Sequence, residues 1–287
     1  MPSSLSHETL RYGDHDLQTI RVIKSRDNIW NEKGLWVIYI HGGAWRDPKV
    51  THLSFLNTVD FLLKESQESV QKNIAGFATI AYRLSPHPSY PQDPNTPKSE
   101  LRVAKHPDHI ADVKTALSLL QERYGFNSKY ILAGHSCGAT LAFQTALPIR
   151  TINTSPPFHN PETIVGVAGI YDMKLLVENH SSISAYRDFT IGAFGHDEKV
   201  WDELSPSRFE GYDSVWPEGK VYLFHSMGDE LVDVAQVDSM AGRLREGKKM
   251  ELRGVRKDLK KDHDGIWEDG KEMGEAVAFV LNDLREV

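Results

Sequence analysis

Tyr130-Ile131-Leu132-Ala133-Gly134-His135-Ser136-Cys137-Gly138-Ala139-Thr140-Leu141-Ala142-Phe143 joins an apolar run, a serine between two glycines and a second apolar run without interruption. The first run reads as a buried strand and the second as a helix, so the chain must turn sharply at Ser136. A serine in such a turn is held in a strained backbone with its hydroxyl thrust out of the sheet. Gly134 and Gly138 are needed because larger side chains would collide with the neighbouring strand and helix. Upstream, Leu35-Trp36-Val37-Ile38-Tyr39-Ile40 is another buried-strand run, and it opens into the glycine turn His41-Gly42-Gly43-Ala44-Trp45.

These two motifs, in this order, are those of a nucleophile elbow and an oxyanion loop, and they imply an α/β-hydrolase fold. The flanking pattern agrees. Glu8 to Tyr12 and Gln18 to Lys24 surround a turn-rich segment and read as an antiparallel hairpin. Leu53, Leu56, Val59, Leu62 and Leu63 have helical spacing, and Gly76 to Tyr82 reads as the next strand. Ser85 to Lys105, rich in proline, reads as a long surface loop. Helical spacing returns at Ile110, Val113, Leu117 and Leu120 and stops at Gly125. After the elbow, strands are expected at Ile164 to Ile170, Val221 to His225 and Met250 to Val255, with helices at Val234 to Glu246 and about Glu272 to Leu284. The alternation implies a mostly parallel sheet with right-handed crossovers and helices on both faces. One domain over residues 1–287 is expected, with a small cap inserted at about 172–216. The aromatic residues of that insertion, Tyr186, Phe189, Phe194, Trp201 and Phe209, read mainly as packing.

Composition narrows the partners. The 287 residues carry 33 basic and 40 acidic side chains, a net charge of −7, with the basic residues scattered. That argues against a nucleic-acid backbone as partner. No window approaches the apolar length of a membrane span, and Met1 to Asp16 has no signal-peptide core. Arg285-Glu286-Val287 matches no retention or peroxisomal signal. The single cysteine permits no internal disulfide and is consistent with a reducing compartment. A cytoplasmic enzyme with a small-molecule substrate is therefore expected, with no nucleic-acid or membrane partner and with a homodimer left open.

In this fold the triad runs serine, acid, histidine along the chain, with acid and base on loops after later strands. His159 and His180 come too early, His196 falls in the insertion, and His225 ends a strand ahead of the acid. His263, in Lys261-Asp262-His263-Asp264-Gly265, remains as the base. Asp229, just past a strand end and Gly228, is the acid, with Asp233 as runner-up. Asp262 and Asp264 are too close in sequence to orient His263. Ser136 would attack a carbonyl, His263 would carry the proton to the leaving group, and Asp229 would fix the imidazole tautomer. The N–H groups of Gly42, Gly43 and Cys137 are the candidate oxyanion donors. His41 is assigned to bracing its loop, and Arg83 to an internal ion pair ahead of a substrate carboxylate. His106 and His109 lack a third ligand, so neither a metal nor another cofactor is expected.

His41-Gly42-Gly43-Ala44-Trp45, Tyr82-Arg83-Leu84-Ser85-Pro86, the elbow pentapeptide and His225-Ser226-Met227-Gly228-Asp229-Glu230-Leu231 together resemble the fungal kynurenine formamidases over most of the chain. The segments from the first glycine turn to the elbow are shared with hormone-sensitive-lipase-like esterases. The more specific part is Trp45 in place of a third glycine, together with the acid loop. The chain departs from the pattern in its longer N-terminal hairpin, the proline-rich loop and Asp264-Gly265. The resemblance implies hydrolysis of N-formyl-L-kynurenine to L-kynurenine and formate in tryptophan degradation toward NAD. Trp45 is then expected to narrow the acyl pocket and offer an aromatic surface to the substrate ring. A short-acyl carboxylesterase and a non-catalytic ligand-binding relative are the alternatives.

Overall fold

The computed structural model describes residues 5–149 and 157–284; Arg285-Glu286-Val287 and the first residues lie outside that range. Eight strands form one sheet: β1 (Leu5–Arg11), β2 (Thr19–Ser25), β3 (Leu35–Ile40), β4 (Ile74–Ile80), β5 (Tyr130–His135), β6 (Thr163–Val167), β7 (Lys220–Ser226) and β8 (Glu251–Leu259). Their order across the sheet is β1-β2-β4-β3-β5-β6-β7-β8. The expected hairpin forms and joins the sheet antiparallel to β4, and every other pair is parallel.

Around it lie α1 (Leu56–Glu65), α2 (Gln67–Asn73), α3 (Asp108–Tyr124), α4 (Cys137–Gln144), α5 (Met173–Asn179), α6 (Ser184–Phe194), α7 (Glu198–Leu204), α8 (Tyr212–Val215), α9 (Val234–Arg245), α10 (Gly265–Glu268) and α11 (Lys271–Asp283). Alternate residues of a strand face opposite ways, which explains the unbroken apolar runs. Trp36, Ile38 and Ile40 pack with α3, α4 and α9, whereas Val37 and Tyr39 pack with α1, α2 and α11. β4 and β5 are buried along their whole length, while edge strands β1 and β8 are part-exposed. α3 ends at Gly125, whose φ of 66° is the left-handed conformation that closes a helix.

Some boundaries depart from the sequence reading. β6 stops at Val167 because Ala168 takes φ 47° and leaves the sheet. β8 continues to Leu259, past Val255, because β7 offers partners as far as Ser226. Among the described residues, no helix is long and apolar enough to cross a membrane.

Sheet order positions the site. β3 and β5 are neighbours with Ile40 opposite Gly134, so Gly42 and Ser136, two residues further along each chain, emerge side by side. This is the switch point at the carboxyl ends of the strands, where open α/β sheets bind ligands. β7 and β8 pair Ser226 with Leu259 and deliver the loops that hold Asp229 and His263 to the same rim.

Candidate active site

Ser136 has φ 55° and ψ −126°, a strained conformation for a residue with a side chain. The reason for the flanking glycines is visible. A Cβ on Gly134 would lie 2.4 Å from the Gly138 carbonyl carbon, and one on Gly138 would lie 2.2 Å from the Ile40 oxygen. The elbow packs backbone on backbone. Ser136 N–H donates to the Val167 carbonyl at 3.0 Å, tying the turn to β6.

Asp229 and His263 are brought together. His263 Nδ1 lies 2.8 Å from Asp229 Oδ2, and because an ionised carboxylate has no proton to give, the ring is the donor. That leaves Nε2 of the neutral ring as the acceptor. Asp229 Oδ1 accepts the N–H groups of Leu231 and Val232, each at 2.9 Å. Burial pushes the Asp229 carboxyl up, but the His263 bond and charge and the two amides outweigh it and hold the group below its ordinary value. The Ser226 hydroxyl accepts Gly228 N–H and donates to the Lys261 carbonyl, which ties the acid loop to the histidine loop.

The other carboxylates serve elsewhere. Asp233 caps α9 through Ala235 N–H at 3.0 Å and accepts Asn179 Nδ2 at 3.0 Å. Asp262 accepts Gly265 N–H at 2.8 Å, and Asp264 accepts Trp267 Nε1 at 3.3 Å.

The His263 ring lies 4.5 Å, centroid to centroid, from His135, the residue before Ser136. Sequence reasoning gave His135 no part. Its only signal was a polar residue closing an apolar strand. Both of its ring nitrogens are buried and make no hydrogen bond within normal geometry among the described residues. Burial and the neighbouring His263 charge depress its pKa strongly against a smaller, raising influence of the His263 backbone. The Ser136 hydroxyl makes no hydrogen bond among the described residues. The serine–imidazole link is thus open in this geometry, as is common before substrate tightens such a site.

A Cβ on Gly42 would lie 3.1 Å from Ser136 Cβ, which places the glycine loop against the elbow. The Gly42 and Gly43 N–H groups make no backbone hydrogen bond among the described residues, and the Cys137 N–H opens α4, where no intrahelical partner exists. The His41 ring braces the loop through Nδ1 at 2.9 Å from the Gly42 oxygen and stacks on Tyr82 at 4.3 Å. The Cys137 thiol accepts Trp45 N–H at 3.3 Å, and burial pushes its pKa up to about 11. Gly43, Ala44 and Trp45 have φ of 94°, 48° and 58°; the last two are not glycines, so no residue type announced this run.

Trp45 requires a correction. It is 0% exposed, packed against Phe194 at 4.9 Å and Phe189 at 6.1 Å. The positive φ values of its loop set the indole in the core, where it presents no surface to a substrate ring. Arg83 makes the internal pair expected of it, with Nη2 2.8 Å from Asp112 Oδ1 and Nε 2.9 Å from Oδ2. His109 is buried with Nε2 3.1 Å from the Ser85 hydroxyl. Among the described residues, no group of three or more His, Cys, Asp or Glu is placed to hold a metal ion.

A strained serine at a strand-to-helix elbow, facing a glycine loop and neighboured by a carboxylate-bound imidazole, defines an α/β hydrolase. The pattern of the BD-FAE family matches residues 29–244. The kynurenine formamidase-like hydrolase fscH of Fusarium equiseti is 37% identical over 88% of this chain and 85% of its own. The kynurenine formamidase avaC of Aspergillus versicolor is 37% identical over 81% and 83%, and the kynurenine formamidase of Meyerozyma guilliermondii is 33% identical over 84% and 81%. Among solved structures, an inhibited esterase B from Lactobacillus rhamnosis superposes with TM-score 0.70 at 16% identity, covering 100% of this chain and 89% of that one. An esterase from the archaeon Pyrobaculum calidifontis gives 0.65 at 18% identity, covering 100% and 86%. Those two share the fold. The chain belongs to the kynurenine formamidases of the BD-FAE family.

Proposed function

We propose that this protein hydrolyses N-formyl-L-kynurenine to L-kynurenine and formate, with Ser136 as nucleophile, His263 as general base and acid, and Asp229 as its orienting carboxylate. The observation that carries the site assignment is the 2.8 Å bond between His263 and Asp229, formed beside an elbow serine with φ 55°. The substrate rests on the names of relatives that match most of the chain.

In this scheme the formyl carbonyl sits at the amides of Gly42, Gly43 and Cys137, which hold the oxyanion as Ser136 attacks. His263 Nε2 takes the serine proton while Asp229, ionised and buried, supports the imidazolium. The same proton then passes to the aryl nitrogen, which leaves as the amine of L-kynurenine. His263 then takes a proton from water as it adds to the formyl ester and returns it to Ser136 Oγ as the Oγ–C bond breaks, releasing formate. The residues carry each step without a metal or cofactor. A cytoplasmic location, a role in tryptophan degradation and a single folded unit over residues 1–287 belong to the same reading, supported by the lone cysteine and the continuous sheet.

The test is spectrophotometric turnover of N-formyl-L-kynurenine against a p-nitrophenyl ester series, with phosphonate labelling of Ser136. Rapid deformylation and labelling at Ser136 are expected. Fast esterolysis with negligible deformylation would make the protein an esterase, and absence of labelling would make it a binder.

A further inference from the structure

Arg46 follows the glycine loop directly, and its amide donates to the Gly43 carbonyl at 2.9 Å. Its guanidinium carbon lies 5.5 Å from the centre of the Phe189 ring on α6. Phe189 also neighbours Tyr186 at 5.5 Å, and the Tyr186 hydroxyl donates to the Leu231 carbonyl at 2.7 Å, two residues past Asp229. The aromatic side chains of α6 therefore span from the acid loop to the glycine loop, and Arg46 stands at the glycine-loop end of that span.

Several arginines of the chain have carboxylate partners in contact, such as Arg83 with Asp112, Arg187 with Glu198 and Arg208 with Asp172. The Arg46 side chain makes no hydrogen bond or ion pair among the described residues. Burial lowers its pKa, opposed only through space by Asp188 and Asp47. A half-buried guanidinium with open donors is suited to a carboxylate, which it can hold through two parallel bonds.

The substrate class proposed above supplies one. Its formamide is joined, through the aryl ring and a short ketone chain, to an amino acid whose carboxylate is the only anion in the molecule. That chain leaves the ring beside the scissile nitrogen, and Arg46 directly follows the glycine loop that would hold the formyl oxygen. We infer that Arg46 binds the α-carboxylate of the substrate and sets the preference for aryl formamides that carry one. This rests on the deformylation reading and adds to it the residue that recognises the distal end.

The experiment compares deformylation of N-formyl-L-kynurenine with that of N-formylkynuramine, which keeps the formamide and lacks the carboxylate. Wild-type protein should favour the acid by about tenfold or more in kcat/KM, mostly through KM. Arg46→Gln should abolish that preference by raising KM for the acid, with a much smaller change on the kynuramine. Arg46→Lys should retain part of it, since the charge stays and the fork is lost. Equal kcat/KM on the two substrates in wild-type protein, or equal losses on both in Arg46→Gln, overturns the assignment. Should wild-type protein cleave p-nitrophenyl esters and neither formamide, the reaction itself is wrong and Arg46 falls with it, an outcome distinct from deformylation without discrimination.

Discussion

Asp229 and His263, 34 residues apart, meet at 2.8 Å with the Asp229 side chain wholly enclosed. No other carboxylate of the two loops is bonded to that ring. Replacing Asp229 by Asn keeps the volume but presents an amide that can reverse the tautomer, so kcat should fall on the order of 10⁴-fold, as in serine proteases. Asp233→Asn tests the alternative acid. It should retain activity and lose at most about 1 kcal/mol through its α9 cap, because Asn also caps well. Steady-state kinetics with urea denaturation of both variants checks the pair; similar kinetic losses would unseat Asp229.

Asp112 is 2% exposed and accepts Gln18 Nε2 and the Arg83 backbone and side chain. Asp112→Ala leaves Arg83 facing a buried gap. Part-exposure of Arg83 and the nearby Asp108 at 3.4 Å soften the effect, so a loss of about 2 to 3 kcal/mol is expected in urea unfolding. If Arg83 instead held substrate, the same variant would raise KM sharply at unchanged stability.

The Cys137 thiol, raised to about 11 and fully buried, is almost entirely protonated at neutral pH. Iodoacetamide should therefore modify the native protein slowly, and denaturant should expose the thiol to prompt alkylation. Rapid alkylation of folded protein, followed by mass spectrometry, would show that the sulfur is reachable.

His41 and His109 are held to about 3 by burial, whereas histidine in an unfolded chain titrates near about 6.5. Below that pH the unfolded state binds more protons than the native state, so stability is full above about 6.5 and erodes as pH falls toward about 3. Each such histidine contributes a slope of up to about 1.4 kcal/mol per pH unit. Urea midpoints measured from pH 7.5 to 5 should fall steadily; a flat profile would mean that these rings are hydrated.

Much of this was legible because the informative residues are constrained locally. Gly134, Ser136 and Gly138 announce a turn that only one strand-to-helix packing accommodates, and apolar runs mark strands covered on both faces. The choice of Asp229 and His263 rests on the serine, acid, histidine order of the fold and on where strands must end. What stayed hidden depends on contacts between distant segments. Trp45 looked like a pocket wall because sequence does not reveal that Ala44 and Trp45 adopt left-handed backbone angles and turn the indole inward. His135 looked incidental because nothing near it in the chain shows that the loop from β8 would lay His263 against it. Arg46 carries no signal in the sequence because its open donors depend on which distant side chains surround it.

The hydroxyl of Tyr186 fastens α6 to the same short loop that carries Asp229. Any outward swing of α6 would pull that loop and slacken its grip on the imidazole, so the helix and the proton relay are mechanically joined. Loss of that one hydroxyl would then be felt at the imidazole without any change at the serine.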